Sequence, residues 1–155
     1  MASELLDNLK RDLSIAMKER DAVTTSTIRM VLAAVQVASV AGKEAVEPSD
    51  SDVVGVLRSE AKRRVEAAEL YDQAGRTEKA AAERSELGVI ERYLPAAMDD
   101  AALEAVVREE VSVAQAAGHD GPKAMGVVIA AVRSRVGDAA DGSRIAATVK
   151  RVLNP

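Results

Sequence analysis

The sequence predicts an all-α protein: a larger N-terminal helical subdomain followed by a small C-terminal subdomain of three helices. Three observations carry that prediction. Apolar residues recur at a 3.6-residue period over most of the 155 residues, no run alternates at period two, and capping and breaking residues punctuate the chain at helix-length intervals. The composition agrees, because the 48% apolar share is built mainly from Ala and Val, the only aromatic residues are Tyr71 and Tyr93, and Trp, Phe and Cys are absent. At this length about two thirds of the unfolded chain's surface can be buried, so the chain is long enough for a true core.

The first helix is marked by the stripe Leu5, Leu6, Leu9, Leu13, Ala16 and Met17, with Lys10, Arg11, Lys18 and Glu19 mostly on the other side. Asp21 suits the N-cap of the second, whose Thr24, Ile28, Val31, Leu32, Val35 and Ala38 keep the period until Gly42. The Thr24-Thr25-Ser26-Thr27 cluster is poor helix material, tolerable in a first turn where hydroxyls can satisfy free N–H groups. Gly42 to Pro48 reads as a loop. Ser49 and Asp52 then resemble a capping box ahead of Val53, Leu57, Ala61, Val65 and Ala68, with the helix running to about Ala74 and Gly75 as its stop. A fourth helix holds Leu87, Ile90 and Leu94 and is expected to end at Pro95, which cannot continue the hydrogen-bond ladder.

Residues 1–94 form the N-terminal four-helix subdomain, with 14 basic and 17 acidic residues, and 95–155 form the C-terminal one. Past Pro95, the turn at Met98, Asp99 and Asp100 opens a fifth helix with Leu103, Val106, Val107, Val111 and Ala114 on one face, ended by Gly118. Gly121 and Pro122 fit the N-cap and first position of a sixth, since Pro there loses no hydrogen bond, and Met125, Val128, Ile129 and Val132 are its stripe. The small-residue turn Gly137 to Gly142 follows, with Asp141 as cap of a last helix carrying Ile145, Val149 and Val152.

Several chemistries lack their residues. Without Cys there is no disulfide, thiolate nucleophile or Cys metal site, and the one His, His119, sits in a turn beside Asp120 with no convergent partner. No GxxxxGKS or GxGxxG loop is present, and Gly137 to Gly142 holds two acids where a phosphate would want donors. The pairs Glu83/Glu86 and Glu109/Glu110 lie in an amphipathic context that gives no reason for their pKa values to split, as acid–base work requires. We therefore expect no catalytic residues, no metal and no cofactor. No run approaches 18 consecutive apolar residues, and Met1 to Lys10 lacks the basic-then-apolar order of a signal peptide, so the expectation is a cytoplasmic protein without a membrane partner.

What the residues do offer is charge. His119 to Pro155 carries Lys123, Arg133, Arg135, Arg144, Lys150 and Arg151 against three acids, in a chain of net charge −4. Such an end can meet a polyanion. With two Tyr and no stacking platform, any RNA contact should go to backbone and shape. In the N-terminal part, Glu60, Lys62, Arg63, Arg64, Glu66 and Glu69 crowd one helix. Glu60 faces Arg64 and Lys62 faces Glu66, which reads either as a solvated face or as a partner-facing ridge of Lys62, Arg63 and Arg76. A protein–protein surface at the junction of the two parts, using Tyr71, Gly75, Arg76 and Tyr93-Leu94-Pro95, is the rival reading. There Tyr93 would bridge toward the C-terminal part.

Three segments in order resemble the GatB/YqeY family: Ile28-Arg29-Met30; Lys62-Arg63-Arg64 through Tyr71, Gly75-Arg76, Glu83, Glu86-Leu87 and Tyr93-Leu94-Pro95; and Met125-Gly126 with the Gly137 to Gly142 turn. The sequence departs from that pattern at Ala124 and Val127, where Asp and Lys are common, and after Gly137, where an Arg is often seen. The length resembles stand-alone members, not the larger amidotransferase B subunit that carries a related tail domain. The resemblance implies an all-α fold in two parts and an association with glutamine-dependent carbon–nitrogen ligases that amidate mischarged tRNA. In those enzymes the tail is thought to hold tRNA while a separate domain performs the chemistry. It thus implies an accessory module whose partners are tRNA and an amidotransferase. A carbon–nitrogen ligase using glutamine as amido donor is what the family label alone would suggest, against the missing catalytic inventory.

Overall fold

The computed structural model describes residues 2–154. It contains seven α-helices, one 3₁₀ turn and, among the described residues, no strand. The contacts divide the chain into two compact units, Met1–Leu94 and Pro95–Pro155.

The N-terminal unit holds α1 (Glu4–Glu19), α2 (Ala22–Ser39), α3 (Asp50–Gln73) and α4 (Thr77–Glu91). Each begin and stop has a local chemical cause. The Ser3 hydroxyl accepts from Leu6 N–H to cap α1, Asp21 accepts from Thr24 N–H to cap α2, and Ser49 and Asp52 complete a reciprocal capping box on α3. Arg20 ends α1 in the left-handed conformation at φ 58°, and Gly75 at φ 70° takes the same role after α3, where a Cβ-free residue costs least. α3 and α4 pack as a hairpin, and α1 and α2 lie against it. Leu9, Ile28, Val31, Val35, Val53, Leu57, Val89 and Ile90 form the core between them.

The sequence expectations need four corrections here. The fourth helix stops at Glu91, not at Pro95: Tyr93 N–H and Leu94 N–H turn back to Ile90 and Glu91 carbonyls, tightening the exit ahead of the proline. Leu94 is half-buried and packs against the core from beyond the helix end. Val65 and Met17, assigned to apolar stripes, are exposed. The Thr24 hydroxyl donates to Asp21 instead of satisfying an N–H group, and Thr27 is fully buried with its hydroxyl unpartnered among the described residues.

The C-terminal unit is α5 (Asp100–Ala116), α6 (Pro122–Val136) and α7 (Gly142–Leu153), each packed on the other two. Asp99 and Asp141 cap α5 and α7 through their carboxylates, and Pro122 occupies the first turn of α6. Leu103, Val107, Val128, Val132, Ile145 and Val149 are all but completely removed from solvent. The 3₁₀ turn Gly137–Ala139 folds the chain back, and Met98 N–H donates to Ala139 C=O at 2.8 Å, tying the entry of α5 to the turn.

Candidate functional site

The six cations between His119 and Pro155 divide into two sets. Arg135, near the end of α6, donates to Glu109 at 2.8 Å and Glu110 at 3.1 Å, and these two carboxylates hold its guanidinium above the ordinary arginine range. Arg144 on α7 donates to Asp100 at 2.9 Å and to the Met98 carbonyl at 2.8 Å. Arg151 reaches Glu104 at 2.8 Å, and Arg108 with Arg151 holds the Glu104 carboxyl below the usual carboxylate range. All three arginines thus reach back to α5 or to the turn just before it.

Lys123, Arg133 and Lys150 have no ion pair among the described residues, and all three are exposed. Arg133 lies across the start of α7, where a Cβ at Gly142 would come within 2.5 Å of its Nη2. Lys150 lines an open cleft of about 470 Å³ at the end of the unit, together with Gln115, His119, Asp120, Met125 and Asn154. The single histidine therefore lines the same cleft as Lys150. Lys123, in the first turn of α6, is not among the residues lining that cleft.

In the N-terminal unit the exposed members of the basic ridge are Lys62, Arg63 and Arg76. Arg63 pairs with Glu60 at 3.1 Å, and Lys62 and Glu66 form no ion pair. Tyr71 is half-buried under the Lys79 ammonium, 5.7 Å from its ring centroid. The Tyr93 hydroxyl donates to Asp12 on α1 at 2.7 Å, which uses it inside the N-terminal unit. Burial, and then that carboxylate, push its ionisation far above the usual tyrosine range.

Sequence reasoning missed the residue that organises this unit. Arg64 is buried, with 4% of its side chain exposed. It donates from Nη1 to the Glu60 carboxylate at 2.7 Å and to the Glu60 carbonyl at 3.1 Å, from Nε to Glu86 at 3.0 Å, and from Nη2 toward the Met30 sulfur at 3.7 Å. One guanidinium thus ties α2, α3 and α4 together, and the reading of Glu60 and Arg64 as a solvated face is overturned. A signal was present: Val53, Leu57, Glu60, Arg64 and Ala68 share one helical stripe, and all five are buried. Of the carboxylates weighed as acid–base pairs, Glu86 is committed to Arg64, and Glu109 with Glu110 to Arg135.

Comparison with known proteins places these features. The family model described as Yqey-like protein matches residues 6–153. A stretch of 89 residues, 57% of the chain, is 37% identical to the altered inheritance of mitochondria protein 41, mitochondrial, of Meyerozyma guilliermondii. The match spans about half the length of that relative, 46%. Helical architecture and a family match running through both units agree, and the chain belongs to the YqeY-like family.

Proposed function

We propose that the chain is a non-catalytic accessory module of tRNA-dependent amidation, working beside an amidotransferase and holding tRNA by its phosphate backbone through the C-terminal unit. The observation that carries the reading is the exposed set Lys123, Arg133 and Lys150 on α6 and α7, which has no ion pair among the described residues. Arg135, Arg144 and Arg151 already face carboxylates of α5, so their charge is largely neutralised before a phosphate arrives. Three unpaired cations imply about three released counterions, and hence a log affinity falling with log salt at a slope of about −2 to −3. Little base preference accompanies it, because no aromatic platform is present.

The test is tRNA titration at rising salt. The unaltered chain is expected to bind with that slope. Lys123→Gln, Arg133→Gln and Lys150→Gln together should abolish binding with little change in thermal unfolding. Replacing Arg135, Arg144 and Arg151 by Gln should instead lower thermal stability and leave the slope near its original value. No binding at low salt, or the same slope after the first triple change, overturns the reading. Supplied with glutamine, ATP, magnesium and mischarged tRNA, the chain alone should give no amidated product. Turnover abolished by one point change in this chain would overturn the non-catalytic part.

A further inference from the structure

The cleft that Lys150 lines has more chemistry around it than a phosphate alone would use. It opens where α5 and α7 end and α6 begins, with a volume of about 470 Å³. Part of its lining is apolar, since Ala124 is buried and Met125 and Leu153 are half-buried. The rest is polar and mixed: the amides of Gln115 and Asn154, the imidazole of His119, the carboxylate of Asp120 and the ammonium of Lys150. Among the described residues the side chains of Gln115, His119, Asp120 and Lys150 make no hydrogen bond, and that of Asn154 makes one long one, to the Lys150 carbonyl at 3.4 Å.

The backbone that carries these groups is tied down. Gly118 N–H donates to Gln115 C=O at 3.0 Å, His119 N–H to Ala114 C=O at 2.9 Å, and Asn154 N–H to Lys150 C=O at 3.0 Å. Gly118 and Gly121 take φ of 84° and 66°, and a Cβ at either would stand in open space. The turn between α5 and α6 thus offers bare backbone that a ligand can approach closely.

The mixture selects a class of ligand. An inorganic anion would use Lys150 and leave both amides, the ring and the apolar lining idle, with Asp120 against it. A purely apolar ligand would cover Lys150 and Asp120 and leave them without partners. We propose that the cleft holds one nucleotide by its base, ribose and phosphate together. The base rests against Met125, Leu153 and the His119 ring, imidazole being one of the side chains on which unstacked bases settle. Each side-chain amide offers a donor beside an acceptor, the pattern that pairs with adenine. The Asp120 carboxylate accepts from a ribose hydroxyl, and the Lys150 ammonium takes the phosphate as a point charge. With one carboxylate and one ammonium the lining is balanced in charge, which suits a ligand held by its base more than a polyanion held by charge alone. One ring is no platform for successive bases, so base reading is confined to a single position and the rest of an RNA contact stays blind to sequence. A nucleotide comes either from bound tRNA, unstacked at one position, or as a free nucleoside monophosphate; in the first case the inference rests on the tRNA reading above.

The test is titration of the whole chain with AMP, followed in amide nitrogen–proton correlation spectra. Saturable shifts are expected at the cleft residues, with a Kd of about 1 mM. Inorganic phosphate and ribose 5-phosphate should give no saturable shift there at the same concentrations. Gln115→Leu with Asn154→Leu keeps size and charge, alters two exposed residues, and should weaken AMP about ten-fold. His119→Ala, in the exposed turn, should weaken it about five-fold on its own. If the nucleotide belongs to tRNA, the Gln115/Asn154 double change also lowers tRNA affinity about ten-fold and leaves the salt slope unmoved, because no cation is lost. If it is free, that change weakens AMP and leaves tRNA affinity as it was. The proposal is overturned if AMP gives no saturable shift up to about 20 mM, if phosphate shifts the same residues equally, or if AMP affinity is indifferent to both sets of changes. The two readings fail separately: tRNA bound with the expected slope and no AMP at the cleft overturns this inference alone, and AMP at the cleft without tRNA binding overturns only the tRNA reading.

Discussion

Arg64 offers the strongest single test of what holds the N-terminal unit together. Replacing it with Met keeps most of the aliphatic stem and removes every donor. Losing one partner of a buried ion pair costs about 3–5 kcal/mol, mainly because the other charge is stranded. Two features pull the figure toward the low end. Glu60, 9% exposed, retains Arg63 at 3.1 Å, and Glu86 at 28% exposure can turn to water, so its link to Arg64 is worth under about 1 kcal/mol. The expected loss is therefore about 3 kcal/mol. In a unit of this size that lowers the thermal midpoint by roughly 12–24 °C. Far-UV circular dichroism of the whole chain should show the transition of the N-terminal unit moving and that of the C-terminal unit staying. Arg64→Lys should lose less, because an ammonium keeps the charge but cannot serve Glu60 and Glu86 with one fixed fork. Arg64→Met combined with Glu60→Leu should recover at least half the loss, since apolar replacement of both partners is often neutral or better. A single change within ~0.5 kcal/mol of the unaltered protein, or a double change no better than the single one, would refute the hub.

Thr27→Val removes a fully buried hydroxyl that has no partner among the described residues, and should raise stability by about 1 kcal/mol in urea unfolding; a loss would mean that the hydroxyl is satisfied after all. Asp50 is held below the usual carboxylate range by the Ser3 hydroxyl and then by Leu5 N–H, and Asp21 and Asp52 are lowered likewise by Thr24 and Ser49. Since the folded pKa lies below the unfolded one, their contribution is complete above about pH 4 and is lost as pH falls through the folded values. The thermal midpoint should fall in that acid limb, less steeply in Asp50→Ala. Leu94→Ala should cost about 1–2 kcal/mol, less than a full core truncation because Leu94 is half-buried; a loss above ~3 kcal/mol would contradict its position beyond the helix.

Much of the architecture was legible because its causes are local. Asp21, the Ser49/Asp52 box, Gly75, Gly121-Pro122 and Asp141 act within one turn of themselves, and each stands where the sequence places it. What was not legible is the pairing of distant side chains. Asp50 accepts from Ser3 and Leu5 across 47 and 45 residues, and Tyr93 reaches Asp12 across 81, with no spacing rule to announce either. Arg64 is hard to read for a different reason: its charge suggests solvent, whereas its place in the apolar stripe with Val53, Leu57 and Ala68 sets it inward. The exposed apolar residues of α2, Val23, Met30 and Val37, are hidden in the same way, since a 3.6-residue period marks an apolar face without saying whether its own chain covers it.

The cations of the C-terminal end show how the choice of window shapes an electrostatic argument. Counted from His119 to Pro155, the segment has six basic and three acidic residues, a balance of +3; counted over 95–155, the unit has seven and eight, a balance of −1. The difference lies in Asp99, Asp100 and the α5 acids Glu104, Glu109 and Glu110, with Arg108 set against them. Sequence separation hid their role, because Arg135 lies 26 residues from Glu109 and Arg151 lies 47 from Glu104. Packing α6 and α7 onto α5 brings the two signs together, so three arginines act first as cross-links of the unit. A polyanion approaching it meets net positive charge only where those carboxylates do not reach, and Lys123, Arg133 and Lys150 are the cations left there. Recognition by this unit therefore depends on where the charges fold to, and no running count along the chain could have separated the two sets.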